Sequence, residues 1–256
     1  MTIWRQIPGQ LWEHLLGGLY PPMCVFCQQD DLGIDDTTRL CLSCREKLGP
    51  LRLHVCRRCD APVGPHLDTS FGCIHCRTDR FAFERVLSLG PYKDELRTVC
   101  QRLKNHHQAP LTTGMGILLS QRIAAESTVP FDFVLSVPHH WTQRMGRRAA
   151  VAELLASVVS RQLSVPFERF LLTKTRRTAR QSTLLPTARR KNLQKAFRLR
   201  DRDQVAKKRI LLIDDVLTTG TTANRIARLL RDAGTQSIIV AVLARGLGDV
   251  RDLTPF

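Results

Sequence analysis

Beyond about residue 80 the hydrophobic pattern alternates between two periods. Apolar runs rich in β-branched residues fall at 86–89, 131–137, 210–213 and 238–243, the length and composition of buried strands. Between them apolar positions recur every three or four residues. Val151, Leu154, Leu155, Val158 and Val159 form one such stretch, and Ala223, Ile226, Ala227 and Leu230 another; each is one face of a helix. Continuous apolar strands separated by helices need crossover connections. The pattern therefore predicts an α/β domain whose mostly parallel sheet is flanked by helices. Ligands of such sheets sit beyond the carboxyl ends of the strands. Ahead of residue 80 the texture differs. Trp4, Ile7, Leu11, Leu15 and Leu16 read as a short amphipathic helix stopped by Gly17-Gly18 and Pro21-Pro22. Residues 24–76 then hold few apolar side chains. The expected division is a small module over 1–80 and the α/β domain over 81–256.

Cysteine spacing explains how so polar a segment folds. Eight of the nine cysteines form four C-x2-C pairs: Cys24 and Cys27, Cys41 and Cys44, Cys56 and Cys59, Cys73 and Cys76. The last four repeat the first four with a shift of 32 residues, an internal duplication. Each C-x2-C turn aims two thiolates at one point, and two turns complete a tetrahedral zinc site with no position left for substrate. Two structural zinc ions would then supply folding free energy that burial cannot. Pairing within each copy is the simple arrangement, and pairing across copies stays open. Disulfides are the weaker reading, because Glu13 and His14 interrupt the only leader-like stretch and no export signal is convincing. Cys100 falls in a helical pattern and reads as a buried thiol.

The third apolar run leads into the main chemical motif. Ile210 to Ile213 is followed by Asp214 and Asp215, and then by Val216, Leu217, Thr218, Thr219, Gly220, Thr221 and Thr222. This is a buried strand with two carboxylates at its tip and a Thr/Gly loop opening a helix. Backbone N–H groups and hydroxyls at a helix N-terminus cradle a phosphate. Gly220 lets the backbone turn sharply and approach the anion. Paired acids accept hydrogen bonds from a ribose diol or hold magnesium. Together these describe a ribose-5-phosphate site, with Asp214 and Asp215 as the candidate catalytic pair. The apolar strand and acids also fit the second motif of a P-loop ATPase. That reading needs a G-x4-G-K loop, and the chain has no Gly-Lys dipeptide.

Charge adds a second theme. The 256 residues carry a formal net charge of +16, with a pI near 10.2 and 43% hydrophobic residues. Wholesale disorder is excluded, and no apolar run approaches the roughly 20 residues of a membrane span. A cytoplasmic protein is expected. Fourteen basic residues lie between 170 and 210 against two acids, Asp201 and Asp203, so this segment holds +12 of the total. That excess suits a phosphate backbone, and scarce aromatic residues there argue against base stacking. Arg176, Arg177, Arg180, Arg189, Arg190 and Lys191, with Lys104 and Arg144 outside the segment, are the candidate contacts to nucleic acid or pyrophosphate.

The 210–222 stretch resembles the phosphoribosyl-pyrophosphate loop of type I phosphoribosyltransferases. With the cysteine pairs it resembles the ComF/GntX-like family of competence and DNA-utilisation proteins. Weaker support comes from Leu103-Lys104, Val137-Pro138, and Gln181, Leu184, Arg189, Asn192, Ala196 and Phe197 at the family's spacing. The resemblance implies a phosphoribosyltransferase-like fold behind a double zinc ribbon and the handling of incoming single-stranded DNA. It also implies contact with other DNA-uptake proteins and a site for phosphoribosyl pyrophosphate, or a related nucleotide, with magnesium. Where relatives carry Gly-Phe-Asn-Gln, this chain has Arg148, Ala149, Ala150 and Val151. That departure and the basic segment favour DNA handling over the alternative, an active phosphoribosyltransferase with an unknown acceptor.

Overall fold

In the computed structural model the described residues are 22–30, 33–49, 54–104, 108–127, 129–138, 151–175 and 196–247. Four strands make a parallel sheet in the order β1-β6-β5-β2, with β1 at Arg85–Pro91, β2 at Phe133–Ser136, β5 at Arg209–Leu217 and β6 at Ser237–Arg245. Two short antiparallel strands, β3 at Leu172–Lys174 and β4 at Phe197–Leu199, form a separate ribbon. The helices are α1 at Leu42–Leu48, α2 at Asp94–Arg102, α3 at Ala109–Glu126, α4 at Val151–Leu163 and α5 at Thr221–Arg231. The expected α/β sheet covered on both faces is present. The N-terminal helical stripe lies outside the described residues. No helix among them is long and apolar enough to cross a membrane.

Period-two alternation sorts the strand residues into two cores. Leu87, Leu89, Val134, Leu211, Ile213, Ala241 and Leu243 face α2, α3 and α4. Their neighbours Val86, Leu135, Ile210, Leu212, Val240 and Val242 face α5 and the β3/β4 ribbon. Because both faces are covered, the strands read as unbroken apolar runs rather than alternating ones.

Two expectations are corrected. The 131–137 run yields only Phe133–Ser136, because the Asp132 carboxylate is taken up by the Arg209 N–H at 2.8 Å and by Lys208 Nζ at 3.2 Å. The strand predicted to end at Ile213 runs on to Leu217, with Asp214 beside Val242 and Leu217 beside Arg245. The paired acids therefore sit within β5 rather than at its tip.

The cysteine segments pack against one face of the sheet and its β1 edge. Cys24, Leu40, Cys41, Cys44 and Leu48 belong to the same core as α3 and Leu87. The second copy lies along the β1 edge itself, with its cysteines in a cluster of their own. Asp60 Oδ2 accepts hydrogen bonds from the Ser88 N–H at 2.8 Å and from its hydroxyl at 2.6 Å, and Arg122 reaches Asp60 Oδ1 at 3.3 Å. The Arg58 carbonyl accepts the Val86 N–H at 3.0 Å, so part of the exposed strand edge is covered.

Candidate phosphate site and zinc knuckles

The duplication is visible in the backbone. Met23 bridges Asp30 in the first copy, and Val55 bridges Pro62 in the second, both antiparallel. The turn after each leading cysteine closes the same way, Gln28 N–H to Cys24 O and Asp60 N–H to Cys56 O, each 2.9 Å. Gln28 and Asp60 both adopt the left-handed conformation, with φ 62 and 59.

These turns gather the thiols by copy: Cys24, Cys27, Cys41 and Cys44 in one set, Cys56, Cys59, Cys73 and Cys76 in the other. Within each set all sulfurs lie within 4.8 Å of one another. The open question of pairing is thus resolved in favour of pairing within each copy. Three Sγ–Sγ separations are 3.9, 3.7 and 3.6 Å. A tetrahedron with zinc–sulfur bonds of about 2.3 Å has edges of about 3.8 Å, so both sets fit structural zinc. Bound there, the metal would cross-link the turns and leave no coordination position for chemistry.

The second motif lies at the carboxyl end of β5. Thr218 and Thr219 are exposed, and Gly220 is the first residue of the α5 cap, with φ 69. A side chain at Gly220 would be strained by that φ, and its Cβ would come within 3.0 Å of the Phe81 ring. Gly220 has no side chain to cap α5, and the Thr221 N–H reaches Thr219 Oγ1 only at a long 3.4 Å, so the first N–H groups suit an anion. The Thr219 and Thr221 hydroxyls lie 2.8 Å apart, and Thr222 follows in the first turn. Asn224 fixes the helix to the chain ahead of β1: its Oδ1 accepts the Ala82 N–H at 2.7 Å, and its Nδ2 donates to Arg80 O at 3.2 Å.

Asp214 and Asp215 stand beside this loop. Burial raises the Asp214 carboxyl well above its ordinary range, and the neighbouring charge of Asp215 adds to the shift. The Asp215 N–H, bonded to Asp214 Oδ1 at 2.9 Å, and the Lys174 ammonium oppose it. Lys174 is itself held below its ordinary range by burial. Its ammonium lies 5.9 Å from the Phe197 ring centroid, so the β3/β4 ribbon presents a cation to the acids. Two carboxylates form no closed cage. Magnesium bound here would complete its shell with phosphate oxygens and water. Burial pushes the Cys100 thiol up to about 12, with the Asp215 charge acting in the same direction and Lys104 against it. Lys104 is exposed just beyond the end of α2. Arg144, Arg176, Arg177, Arg180, Arg189, Arg190 and Lys191 lie outside the described residues.

Two residues of this region escaped the sequence reading. Lys174 counted only as one charge among many. Arg245 ends an apolar strand and is 3% exposed; its guanidinium donates to Leu217 O at 3.1 Å and also to Thr218 O and Gly246 O. It ties the carbonyls that open the Thr/Gly loop to the end of β6. A lone arginine after an alanine gives no spacing signal.

Comparison with known proteins gives the chain its relatives. Residues 149–252 match the model of the phosphoribosyl transferase domain, and residues 15–79 match that of the double zinc ribbon domain. The "DNA utilization protein YhgH" of Salmonella typhi is 31% identical over 201 residues, 77% of this chain and 86% of that protein. "Competence protein F" of Haemophilus influenzae is 28% identical over 220 residues, 80% of this chain and 96% of that protein. Among solved structures, the glutamine phosphoribosylpyrophosphate amidotransferase of B. subtilis with ADP and GMP aligns at 24% identity and a TM-score of 0.36. That alignment spans 51% of this chain and 25% of that one. On its paired domains and its full-length relatives, the chain belongs to the ComF/YhgH family of competence and DNA-utilization proteins.

Proposed function

We infer that this protein handles single-stranded DNA during DNA uptake, gripping a sugar-phosphate group of the strand, or a regulatory nucleotide, at the carboxyl end of β5. In this reading Thr218, Thr219, Gly220, Thr221 and Thr222 receive the phosphate. Asp214 and Asp215 receive the diol of a ribonucleotide or, for a DNA strand, whose sugars lack the 2′-hydroxyl, a magnesium ion that arrives with the phosphate. One observation supports it most: the N-terminus of α5, whose cap residue Gly220 has no side chain, opens beside two carboxylates, one of them raised well above its ordinary range by burial. An anion relieves the first and a divalent cation the second. Lys104 is exposed for a phosphate of the strand, and the basic composition of 176–191 suits further backbone contacts. The thiol-rich 1–80 module serves the 81–256 domain as a scaffold, and eight reduced cysteines suit the cytoplasm.

The Lys174 ammonium, whose charge is felt at Asp214, also suits a pyrophosphate, which is the feature an active phosphoribosyltransferase would share. Any transferase chemistry would rest on placement and charge, since no nucleophile is needed at this site.

Titration of the purified protein with single-stranded DNA and with phosphoribosyl pyrophosphate plus magnesium, each alone and in competition, tests the reading. Both should bind and compete, and Asp214→Asn with Asp215→Asn should weaken phosphoribosyl pyrophosphate at least about 10-fold, one hydrogen-bonded charge pair's worth. Unchanged affinity in that variant overturns the sugar-phosphate site. Release of pyrophosphate with a nucleobase acceptor would assign the transferase instead.

A further inference from the structure

The second knuckle carries side chains that its own fold does not use. Leu67, Phe71 and Ile74 are 53%, 87% and 59% exposed. The apolar cluster around Cys56, Cys59, Cys73 and Cys76 is completed by Ala61, Val63, Phe81 and Leu247, and none of the three takes part. The duplication makes the point sharper. The positions 32 residues earlier are Asp35, Arg39 and Leu42. There Asp35 closes its own turn by accepting the Thr38 N–H at 2.7 Å and both threonine hydroxyls, at 2.7 and 2.8 Å. Leu67 and Phe71 are thus apolar where the sister copy is polar.

The turn beneath them is rigidly held. Gly72, with φ 95, donates its N–H to Thr69 O at 2.9 Å. Arg58 Nη1 donates to Phe71 O at 3.0 Å and to Cys76 O at 3.3 Å, and its Nη2 donates to Asp79 O at 2.9 Å. The same guanidinium lies over the Phe81 ring, 5.9 Å from its centroid, and Phe81 is the ring against which Gly220 of the phosphate loop packs. Two side chains therefore separate the Phe71 turn from the phosphate loop. Arg57, Arg77 and Arg80 are exposed on this knuckle, against a single exposed acid in residues 54–80, Asp68. Asp68 is bonded to the Ser70 N–H at 2.9 Å and hydroxyl at 2.6 Å.

We propose that the second zinc knuckle is a base-stacking platform for unpaired nucleic acid. Phe71, flanked by Leu67 and Ile74, takes bases, and Arg57, Arg77 and Arg80 meet the phosphates. An exposed ring on a metal-pinned turn stacks on any base with little ordering cost, so binding is tolerant of sequence. Three apolar side chains are too small a patch for a stable protein interface, whereas an aromatic ring among arginines is the composition of a single-strand track. The basic 170–210 segment has two rings against fourteen basic residues, Phe197 buried and Phe170 exposed at its very start beside Arg169, so most stacking and most backbone contact fall on different parts of the chain. The proposal rests on the reading that the 218–222 loop grips the same strand.

The test compares wild type with Phe71→Ala plus Ile74→Ala, using a base-bearing single-stranded oligonucleotide and an abasic strand of equal length. Two zinc ions per chain serve as the control for folding. The variant should lose about 5- to 100-fold on the base-bearing strand, the range measured for one stacked base. It should match wild type on the abasic strand and on phosphoribosyl pyrophosphate. A second variant, Phe71→Trp, keeps the ring and should bind at wild-type strength with added quenching of its fluorescence. If wild type binds the base-bearing strand and the alanine variant binds it equally, the platform is overturned and the strand-handling function stands; the patch then faces a protein. An absence of quenching in Phe71→Trp overturns the platform too. If wild type binds no single strand at all, both readings fall.

Discussion

Asp214 illustrates how a single side chain couples the fold to its ligand. A carboxyl whose folded pKa lies above its ordinary 3.8 favours the folded state most when protonated. Its stabilising share is fully present below the unfolded value and is lost as pH rises through the folded value. At neutral pH the ionised form works against folding, because it is desolvated and sits beside Asp215. Asp214→Asn keeps the shape and the acceptor oxygen and removes the charge. That variant should melt higher than wild type near pH 8, by about 1 kcal/mol as for an ordinary single-site effect, and the gap should close near pH 4. Thermal unfolding at the two pH values checks this. A gap that widens on acidification would show that Asp214 is stabilised as a carboxylate, with Lys174 as its dominant partner.

At the level of elements, α3 shows why packing decides what a sequence pattern reveals. Leu111, Thr112, Gly114, Met115, Gly116, Ile117, Leu118, Leu119 and Ser120 are all buried, so no polar face marks the helix period. The cause is contact on several sides. A Cβ on Gly114 would come within 2.4 Å of the Thr38 carbonyl in the first knuckle, and one on Gly116 within 2.8 Å of Val158 in α4. Gly114→Ala gains roughly 1 kcal/mol of helix propensity and loses about 2–3 kcal/mol to a backbone clash that cannot rotate away. The net loss should appear as lower thermal stability and faster chelation of one zinc ion, the other being unaffected. Gly64→Ala, with nothing within 4 Å of its Cβ, should change neither. Elements with one covered face, such as α5 with Ala223, Ile226, Ala227 and Leu230 inward, were legible from periodicity. So were the four sheet strands and the phosphate loop, whose chemistry is local in sequence. The β3/β4 ribbon was not legible, because Leu172–Lys174 and Phe197–Leu199 are three residues each within a basic stretch. Arg245 and Lys174 meet the site through tertiary packing, which leaves no trace in spacing.

On the scale of the whole molecule, the charge distribution separates the two kinds of nucleic-acid contact by their response to salt. The +16 net charge lies mostly in the 170–210 segment, at +12, whereas the zinc knuckles offer rings and a few arginines. Contacts to phosphate release counterions on binding, so log K for single-stranded DNA should fall linearly with log[salt], by about 0.7 for each phosphate neutralised. Stacking contributes affinity with almost no slope. Replacing Arg189, Arg190 and Lys191 by alanine removes three candidate contacts, and the slope should flatten by up to about 2 units. The stacking contribution and phosphoribosyl pyrophosphate binding at Thr218–Thr222 should persist, because backbone N–H groups and hydroxyls build that cradle. Fluorescence anisotropy across a salt series measures both slope and intercept. An unchanged slope with lost phosphoribosyl pyrophosphate affinity would reassign the basic segment from the DNA backbone to a clamp over the ligand. The function would then shift from strand handling towards phosphoribosyl transfer.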